Sequence, residues 1–222
     1  MPVKQRARKD EDKQARRRSI LDAAGRMLRE RGYADLTMAE VARHCRLAKG
    51  TLYLYFSSKE AMFLAALEQE LSTWFDGLLE GLAEMRPDRD ETRRIAETIA
   101  TSLASQPTLL DLLTIVHNVL EQNIEFDTAL SFKQMLAQRL EFGGAIFERA
   151  LPGLPRGEGQ RLLLRIYAAV VGLRQMSDPS PVVAKVLERP DIRCLRVDFQ
   201  TELRETIIDL VRGAQARRVA DA

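Results

Sequence analysis

The sequence predicts an all-α protein in which a small N-terminal group of three helices precedes a larger helical bundle. Apolar residues recur along most of the chain at the three- and four-residue spacing of amphipathic helices. The sequence shows no convincing β-alternation, and Pro and Gly residues interrupt the periodic segments at helix-length intervals. A chain of 222 residues is long enough for a small domain joined to a larger one.

Charge is distributed unevenly along the chain, although the net charge is only +2. Residues 1–60 carry 15 Lys/Arg and 8 Asp/Glu, whereas residues 61–222 carry 19 and 24. A basic end on a mildly acidic body favours a polyanionic partner, but a solvated basic tail has the same charge. Residues 1–15 lack apolar periodicity, so we interpret them as a flexible basic arm, with a solubilising tail as the alternative.

Membrane and secretion signals are missing from the sequence. Its apolar runs fall well short of the roughly 20 residues that span a bilayer, and the basic N-terminus lacks the apolar part of a secretory signal. We therefore expect a cytoplasmic protein with no membrane partner. Cys45 and Cys194 fit no metal or redox spacing, and we expect both to be small buried hydrophobes.

The first two helices of the N-terminal group are predicted from periodicity and capping. The first runs from Arg16 to Gly32, and Thr37 with Glu40 forms the Thr-x-x-Glu capping box of a second helix that ends near Cys45. The apolar face of the first helix consists of Ile20, Ala24, Met27 and Leu28.

A third short helix is predicted over residues 50–56, after a link at 46–49. Two short helices with a tight link, following a longer helix, match the helix-turn-helix layout. Leu52 and Phe56 lie four residues apart and are expected to pack on the supporting helices. Tyr53 and Tyr55 are two residues apart and cannot face the same core, which favours a binding role over that of core or rim aromatics.

Hydrogen-bond donors and positive charge surround this third helix. Lys49 and Lys59 bracket it, and tyrosine hydroxyls can donate to phosphates or reach base edges. Gly50 at the helix N-terminus allows close approach of an anion, which the helix dipole favours. The pattern is therefore typical of a helix that enters a major groove.

The remaining chain is predicted to form a helical bundle. Ser58 can cap a long helix from Lys59 to about Glu84, and prolines separate the segments that follow. These segments are residues 88–104, 108–124, 128–150, 158–176 and 195–213, with a shorter one at 181–188.

The N-terminal motifs resemble the TetR family of bacterial transcriptional regulators. The resemblance covers residues 16–64 and implies an all-α homodimer that binds double-stranded, palindromic operator DNA through residues 16–60. It also implies that residues 61–222 form a domain for ligand sensing and dimerisation. The motifs are ILDAA at 20–24, GY at 32–33, LTM at 36–38, VA at 41–42 and KGTLYLYFSSKE at 49–60. The DNA-facing positions that the family implies are Thr37, Lys49, Gly50, Thr51, Tyr53, Leu54, Tyr55 and Lys59.

Two residues depart from the family pattern. Arg46 stands where the family commonly has a glycine in left-handed backbone, at a cost of about 1–2 kcal/mol. Ala48 lacks the hydroxyl that caps the next helix, a loss of about 0.5–2 kcal/mol. Arg46 is expected to add a phosphate contact of its own.

Two C-terminal segments are candidates for the dimer interface. The segment at 162–173 is apolar nearly all round and must be covered on every side, while 195–211 carries a single apolar stripe. The resemblance implies a four-helix dimer face here, and packing within the subunit is the alternative for part of each segment. The predicted interface residues are Leu163, Tyr167, Val170, Arg174, Phe199, Leu203, Ile207 and Leu210.

Polar residues embedded in apolar helices are candidates for an effector pocket. These residues are Trp74, His117, Asn118 and Tyr167, and hydrogen-bonded core positions are the alternative for each. We expect a small apolar or amphipathic effector. His117 and Glu121 share one helix face, but two ligands are too few, so we predict no metal site.

Enzymatic function is not indicated, because phosphate loops, HExxH and Gly-x-Ser-x-Gly are missing from the sequence. We therefore predict that the protein has no cofactor. We also predict that it is a DNA-binding regulator, a repressor that leaves its operator when a small-molecule effector binds. A helical protein-interaction module without small-molecule sensing is the alternative. Salt-dependent binding to duplex DNA distinguishes the two.

Overall fold

The computed structural model describes residues 2–83, 90–151 and 153–220, and across these ranges the chain forms helices and no strand. The predicted all-α fold class is confirmed. The chain divides into two compact units: residues up to Glu70 with Ile115–Phe132, and Leu71–Thr114 with the chain from Lys133 onward. The start of the fourth helix and residues 115–132 thus cluster with the N-terminal helices, whereas the sequence predicted a domain boundary at residue 60.

The first unit is built on three N-terminal helices. They are α1 (Pro2–Arg31), α2 (Met38–His44) and α3 (Lys49–Tyr53), followed by the first part of α4 (Lys59–Ala83). A 3-10 helix at Leu120–Asn123 and the start of α7 (Phe126–Ala150) complete the unit. Its fully buried side chains include Ile20, Val41, Leu52, Met62, Phe63 and Leu67.

Helix α1 begins at Pro2, so residues 2–15 are helical. The prediction of a flexible arm at 1–15 is corrected for these residues, and Met1 lies outside the described residues. Lys, Arg, Gln, Ala and Glu dominate this stretch, and these residues have high helix propensity even where no apolar face exists. Apolar periodicity is missing from this stretch of the sequence, so periodicity alone does not predict its helix.

The second unit contains the remaining helices. They are the later part of α4, α5 (Glu91–Ala104), α6 (Pro107–Ile115), most of α7, α8 (Glu158–Ser177), α9 (Pro181–Val186), a 3-10 helix at Pro190–Leu195, and α10 (Phe199–Ala220). Helix α10 packs against both α5 and α8. Its buried stripe is Leu203, Ile207, Ile208, Val211 and Ala214.

Two helices are shorter than the sequence predicts. Helix α6 ends at Ile115 rather than near residue 124, because the chain turns there and Gln122 Nε2 donates to the His117 carbonyl at 2.8 Å. Helix α10 begins at Phe199 rather than 195, since Asp198 Oδ1 accepts from the Thr201 amide at 2.9 Å and caps the first turn.

Helices α7 and α8 approach each other through glycines. A Cβ on Gly159 would lie 2.1 Å from the Gly144 carbonyl oxygen, so the two backbones meet with no side chain between them. Glu148 Oε1 accepts from the amides of Gly157 at 2.7 Å and Gly159 at 3.0 Å. A carboxylate of α7 therefore caps the N-terminus of α8.

The two cysteines differ in their exposure. Cys194 is exposed and Cys45 is half-buried, so the prediction that both are buried is wrong for Cys194. Across the ranges that the structure describes, none of the helices combines the length and apolarity needed to cross a membrane.

Candidate nucleic-acid interface

Helix α2 is held at its start by the predicted capping box. The Glu40 amide donates to Thr37 Oγ1 at 3.3 Å, and the Thr37 amide donates to Glu40 Oε2 at 3.0 Å. Arg31 NH2 donates to the other oxygen of Glu40 at 2.8 Å. These hydrogen bonds, that from Arg31 foremost, lower the pKa of Glu40 below its usual value. Thr37 is exposed, but its hydroxyl is engaged in the cap.

The turn between α2 and α3 carries both departures from the family pattern. Arg46 has a φ of 56°, and it is the only residue other than glycine with positive φ in the described chain. A non-glycine residue in this conformation costs about 1–2 kcal/mol. Ala48 occupies the N-cap of α3 and makes no side-chain cap. The left-handed backbone expected at Arg46 is therefore confirmed.

Helix α3 presents one buried and one exposed face. Leu52 is fully buried and Phe56 is 5% exposed, whereas Tyr53 is 44% and Leu54 81% exposed. Tyr55 is half-buried. The helix ends at Tyr53 rather than at residue 56, and hydrogen-bonded turns through residue 56 continue its course. Tyr53 is therefore more exposed than Tyr55, in agreement with the expectation that the two tyrosines cannot face the same core.

A basic surface surrounds the exposed face of α3. Arg43, His44, Arg46 and Lys49 are all exposed, and Lys49 Nζ lies 5.9 Å from the centre of the Tyr53 ring. Gly50 is exposed with open space around its Cα, and Thr51 is half-buried. The exposed basic groups can donate to phosphates, and Tyr53 and Leu54 are large exposed side chains beside them.

Lys59 has a structural role that the sequence did not reveal. Its Nζ donates to the Tyr33 carbonyl at 2.5 Å and lies 3.8 Å from the centre of the Tyr33 ring. The Tyr33 hydroxyl donates to Glu60 Oε1 at 2.7 Å. Burial lowers the pKa of Lys59, and burial followed by the Glu60 hydrogen bond raises the pKa of Tyr33. Together these contacts tie the α4 N-terminus to the α1–α2 connection.

Four of the eight predicted dimer-interface residues are buried inside the subunit. Leu163, Val170, Leu203 and Ile207 are each 5% exposed or less, so they are not available to a partner. The reason is that the apolar stripe of α10 packs on α5 and α8 of its own subunit.

The other four predicted interface residues keep some exposure. Tyr167, Phe199 and Leu210 are half-buried. Arg174 donates to Asp111 at 2.9 Å and to Asp178 at 3.0 Å, so it joins α6 to the end of α8 within the subunit.

The predicted effector residues separate into two groups. His117 and Asn118 are exposed and lie in the turn after α6, in the first unit, so they are not embedded in an apolar helix. His117 Nδ1 is 3.2 Å from Glu121 Oε2. Trp74 and Tyr167 belong to the second unit and are half-buried, and Trp74 Nε1 donates to Ser102 Oγ at 3.0 Å.

Helix-turn-helix proteins place a short recognition helix in the major groove of DNA. The apolar side of this helix packs on the two other helices of the domain, and its polar and aromatic side chains face outward. Helix α3 has this arrangement, and the basic side chains around it suit a phosphate backbone. The chain therefore belongs to the helix-turn-helix class of proteins.

Comparison with known families gives the particular group. The family described as bacterial regulatory proteins, tetR family, matches residues 20–66, and the tetracyclin repressor-like C-terminal domain matches residues 68–218. The protein belongs to the TetR family.

Individual relatives are similar over different parts of the chain. The A-factor receptor protein of Streptomyces griseus is 40% identical over 56 residues, which are 25% of this chain and only 20% of that protein. FadR from Bacillus subtilis in complex with stearoyl-CoA has a TM-score of 0.57 at 15% identity, over 88% of this chain and 97% of that one. AibR in complex with isovaleryl coenzyme A and operator DNA has a TM-score of 0.56 at 17% identity, over 87% and 96%. These two structures establish the shared fold.

Proposed function

We propose that the protein is a cytoplasmic homodimeric repressor that binds a pseudo-palindromic operator and leaves it when an amphipathic effector binds. The observation that carries the operator proposal is the exposed face of α3, with Tyr53 and Leu54 outward and Leu52 buried. Two such helices, one per subunit, would enter successive major grooves about 34–36 Å apart. Arg46 and Lys49 would bind the flanking phosphates. The N–H groups of Lys59 that do not donate to the Tyr33 carbonyl would donate to the same phosphates.

The homodimer proposal rests on the exposed faces of α8 and α10 rather than on their buried stripes. Leu164 is 51% exposed, and Ala168 and Gly172 follow on the same face at four-residue intervals. On α10, Leu210 is half-buried and Gly213 follows one turn later. Helices α8 and α10 pack together, and we propose that a second copy covers these two faces.

Tyr53→Ala is expected to weaken specific operator binding by about 1–3 kcal/mol, because a base or phosphate contact is lost. Fluorescence anisotropy with a duplex selected from random sequences measures this, and circular dichroism checks that helicity is kept. Phe142→Ala is the matched control, since it also removes an exposed aromatic side chain but lies on α7 in the second unit. Equal affinity of both variants would contradict the assignment of Tyr53.

The same assay separates this proposal from a helical protein-interaction module. A regulator that neutralises several phosphates should lose affinity steeply and log-linearly with salt concentration. An interaction module should show no such binding to duplex DNA.

The effector proposal is supported by the acyl-CoA molecules bound to the two structural neighbours. We infer that the second unit binds an acyl thioester or a similar amphiphile, with Trp74 and Tyr167 among the contact residues. Helix α4 follows the DNA-binding helix in the chain and continues into the second unit. It would therefore transmit a shift caused by effector binding in the second unit to the DNA-binding helix.

Reciprocal coupling tests the effector proposal. Thermodynamic linkage requires that operator DNA weaken effector binding by the same factor by which the effector weakens operator binding. Calorimetric titration with isovaleryl-CoA and stearoyl-CoA, with and without operator, measures this factor. Equal affinities in the two titrations would exclude release by these compounds and leave the operator proposal intact.

A further inference from the structure

The chain between α8 and α10 forms a long connection that packs on little of its own subunit. Residues 178–198, the connector, contain α9 and the 3-10 helix at Pro190–Leu195. All of these residues are described by the structure, and none of them is buried in the subunit. A groove of about 830 Å³ separates the connector from Met176 and Phe199 at the ends of α8 and α10, so its inner side is open as well.

The connector has a defined shape that its own residues maintain. Ser180 Oγ accepts from the Val183 amide at 3.5 Å and caps α9, with Pro181 in the first turn. The Arg189 guanidinium donates to both carboxylate oxygens of Asp191, at 3.0 and 3.1 Å. A segment ordered in this way presents a preformed surface, which lowers the entropic cost of association.

Large apolar side chains are concentrated on the connector and the turn of α8 before it. Five of the eleven large apolar or aromatic side chains that are exposed in the described chain lie within residues 176–195, so their exposure is not scattered over the surface. Val182 and Val186 lie four residues apart on one face of α9. The exposed fractions are 58% for Met176, 73% for Val182, 46% for Val183, 46% for Val186 and 63% for Leu195.

The proposed dimer face on α8 and α10 offers little apolar area by itself. A specific interface buries about 800 Å² on each partner, from about 20–30 residues. Beside Leu164, the outward positions on these helices include the small residues Ala168, Gly172 and Gly213. The connector begins where α8 ends and finishes where α10 begins, and it adds larger apolar side chains next to that face.

The distribution of charge favours a second copy of the chain as the partner. Between residues 181 and 196, four basic side chains stand against two acidic ones, and Arg193 and Arg196 are exposed. On α10, exposed acidic side chains follow one another at three- and four-residue spacing and form one row, which consists of Glu202, Glu205 and Asp209. A basic segment and an acidic row on one chain are complementary between two copies.

We propose that the connector docks on a second copy of this chain, where its apolar side chains are buried and its arginines lie against the acidic row of the partner's α10. This inference rests on the proposed homodimer and adds a contact outside the helix faces of α8 and α10. Two-fold symmetry repeats the contact, so each dimer contains it twice.

Cys194 lies on the connector and is exposed, so its thiol reports whether the connector is covered. Sedimentation velocity identifies concentrations at which the full-length protein is monomeric or dimeric, and N-ethylmaleimide labelling is then followed by mass spectrometry at both. We expect Cys194 to label roughly tenfold more slowly in the dimer, because a covered thiol reacts only when the contact opens. Cys45, which is half-buried in the first unit, is the internal control and should label at the same rate in both states.

Two variants of the connector test its contribution to assembly. Val182→Asp with Val186→Asp places charges in the proposed contact and should raise the dimer dissociation constant about 10²-fold. Arg193→Glu with Arg196→Glu should raise it about fivefold at low salt and less at high salt, because like charges then face each other. Leu130→Asp is the matched control, since Leu130 is 43% exposed on α7 in the first unit, and it should leave the constant unchanged.

The outcomes separate this inference from the homodimer proposal. A wild-type dimer in which Cys194 labels as fast as in the monomer, or in which both connector variants dimerise like the wild type, would overturn the connector contact and leave the dimer intact. A monomer at every concentration would overturn both. A dimer in Leu164→Arg with a monomer in Val182→Asp/Val186→Asp would support the connector and contradict the α8 face. Protection of Cys194 in a monomer by stearoyl-CoA would assign the connector to a ligand and overturn the second copy as its occupant.

Discussion

Leu164→Arg is expected to convert the proposed homodimer into a monomer that no longer binds the proposed operator with dimer affinity. Leu164 is 51% exposed in the single subunit, so its substitution leaves the core intact. In a dimer that covers this face of α8, an arginine would be buried without a partner, which costs about 3–5 kcal/mol. The dimer dissociation constant would then rise by about 10²–10⁴-fold.

The loss of operator affinity follows from symmetry. A dimer binds two half-sites at once, and the second contact is effectively intramolecular, whereas a monomer gains only one half-site. Sedimentation velocity measures the assembly, and anisotropy with full and half operators measures the DNA binding. We expect the variant to bind the two duplexes almost equally.

Phe142→Arg is the control for this experiment. It also introduces arginine at an exposed apolar position, 60% exposed on α7. This variant should remain a dimer if α8 and α10 form the interface. A dimer in Leu164→Arg and a monomer in Phe142→Arg would place the interface on α7 instead.

Local features of the DNA-binding helices could be predicted from the sequence, whereas the burial of the C-terminal apolar stripes could not, and the reason is physical. The capping box at Thr37, the strain at Arg46 and the missing cap at Ala48 are local features, which a few neighbouring residues determine. The burial of Leu203 and Ile207 depends on which distant helix covers them. Periodicity locates an apolar stripe but does not distinguish an intrasubunit neighbour from a partner subunit.

The end of α6 shows a related effect. His117 was placed inside a helix that was predicted to continue to residue 124, and the true end at Ile115 leaves it in an exposed turn. Helix ends are the least certain part of a prediction from sequence, because few residues determine them. Similarly, the hydrogen bond between Lys59 and the Tyr33 carbonyl joins residues 26 apart, and no local pattern indicates it.

Gly159→Ala is expected to destabilise the protein more than any other methyl group added to a described glycine. Its Cβ would lie 2.1 Å from the Gly144 carbonyl oxygen and 2.8 Å from the Gly144 Cα, and these are backbone atoms that no rotamer change can move. Helices α7 and α8 must separate, and the two amide hydrogen bonds to Glu148 lengthen with them. Overpacking of this kind costs about 3 kcal/mol.

Thermal unfolding of Gly159→Ala, compared with Gly77→Ala, measures this cost. Gly77 lies within α4, is exposed and has open space where a Cβ would stand, so alanine there should stabilise the helix by about 0.5–1 kcal/mol. For a chain of this size, a loss of about 3 kcal/mol lowers the Tm by roughly 6–12 °C. The two variants add the same methyl group to helical glycines, and the expected shifts in Tm have opposite signs. Equal shifts would mean that α7 and α8 do not meet at their backbones. Helix α8 also carries Leu164, so its displacement from α7 should weaken the proposed dimer as well. Sedimentation velocity on Gly159→Ala measures whether the dimer dissociates when the contact between α7 and α8 is disturbed.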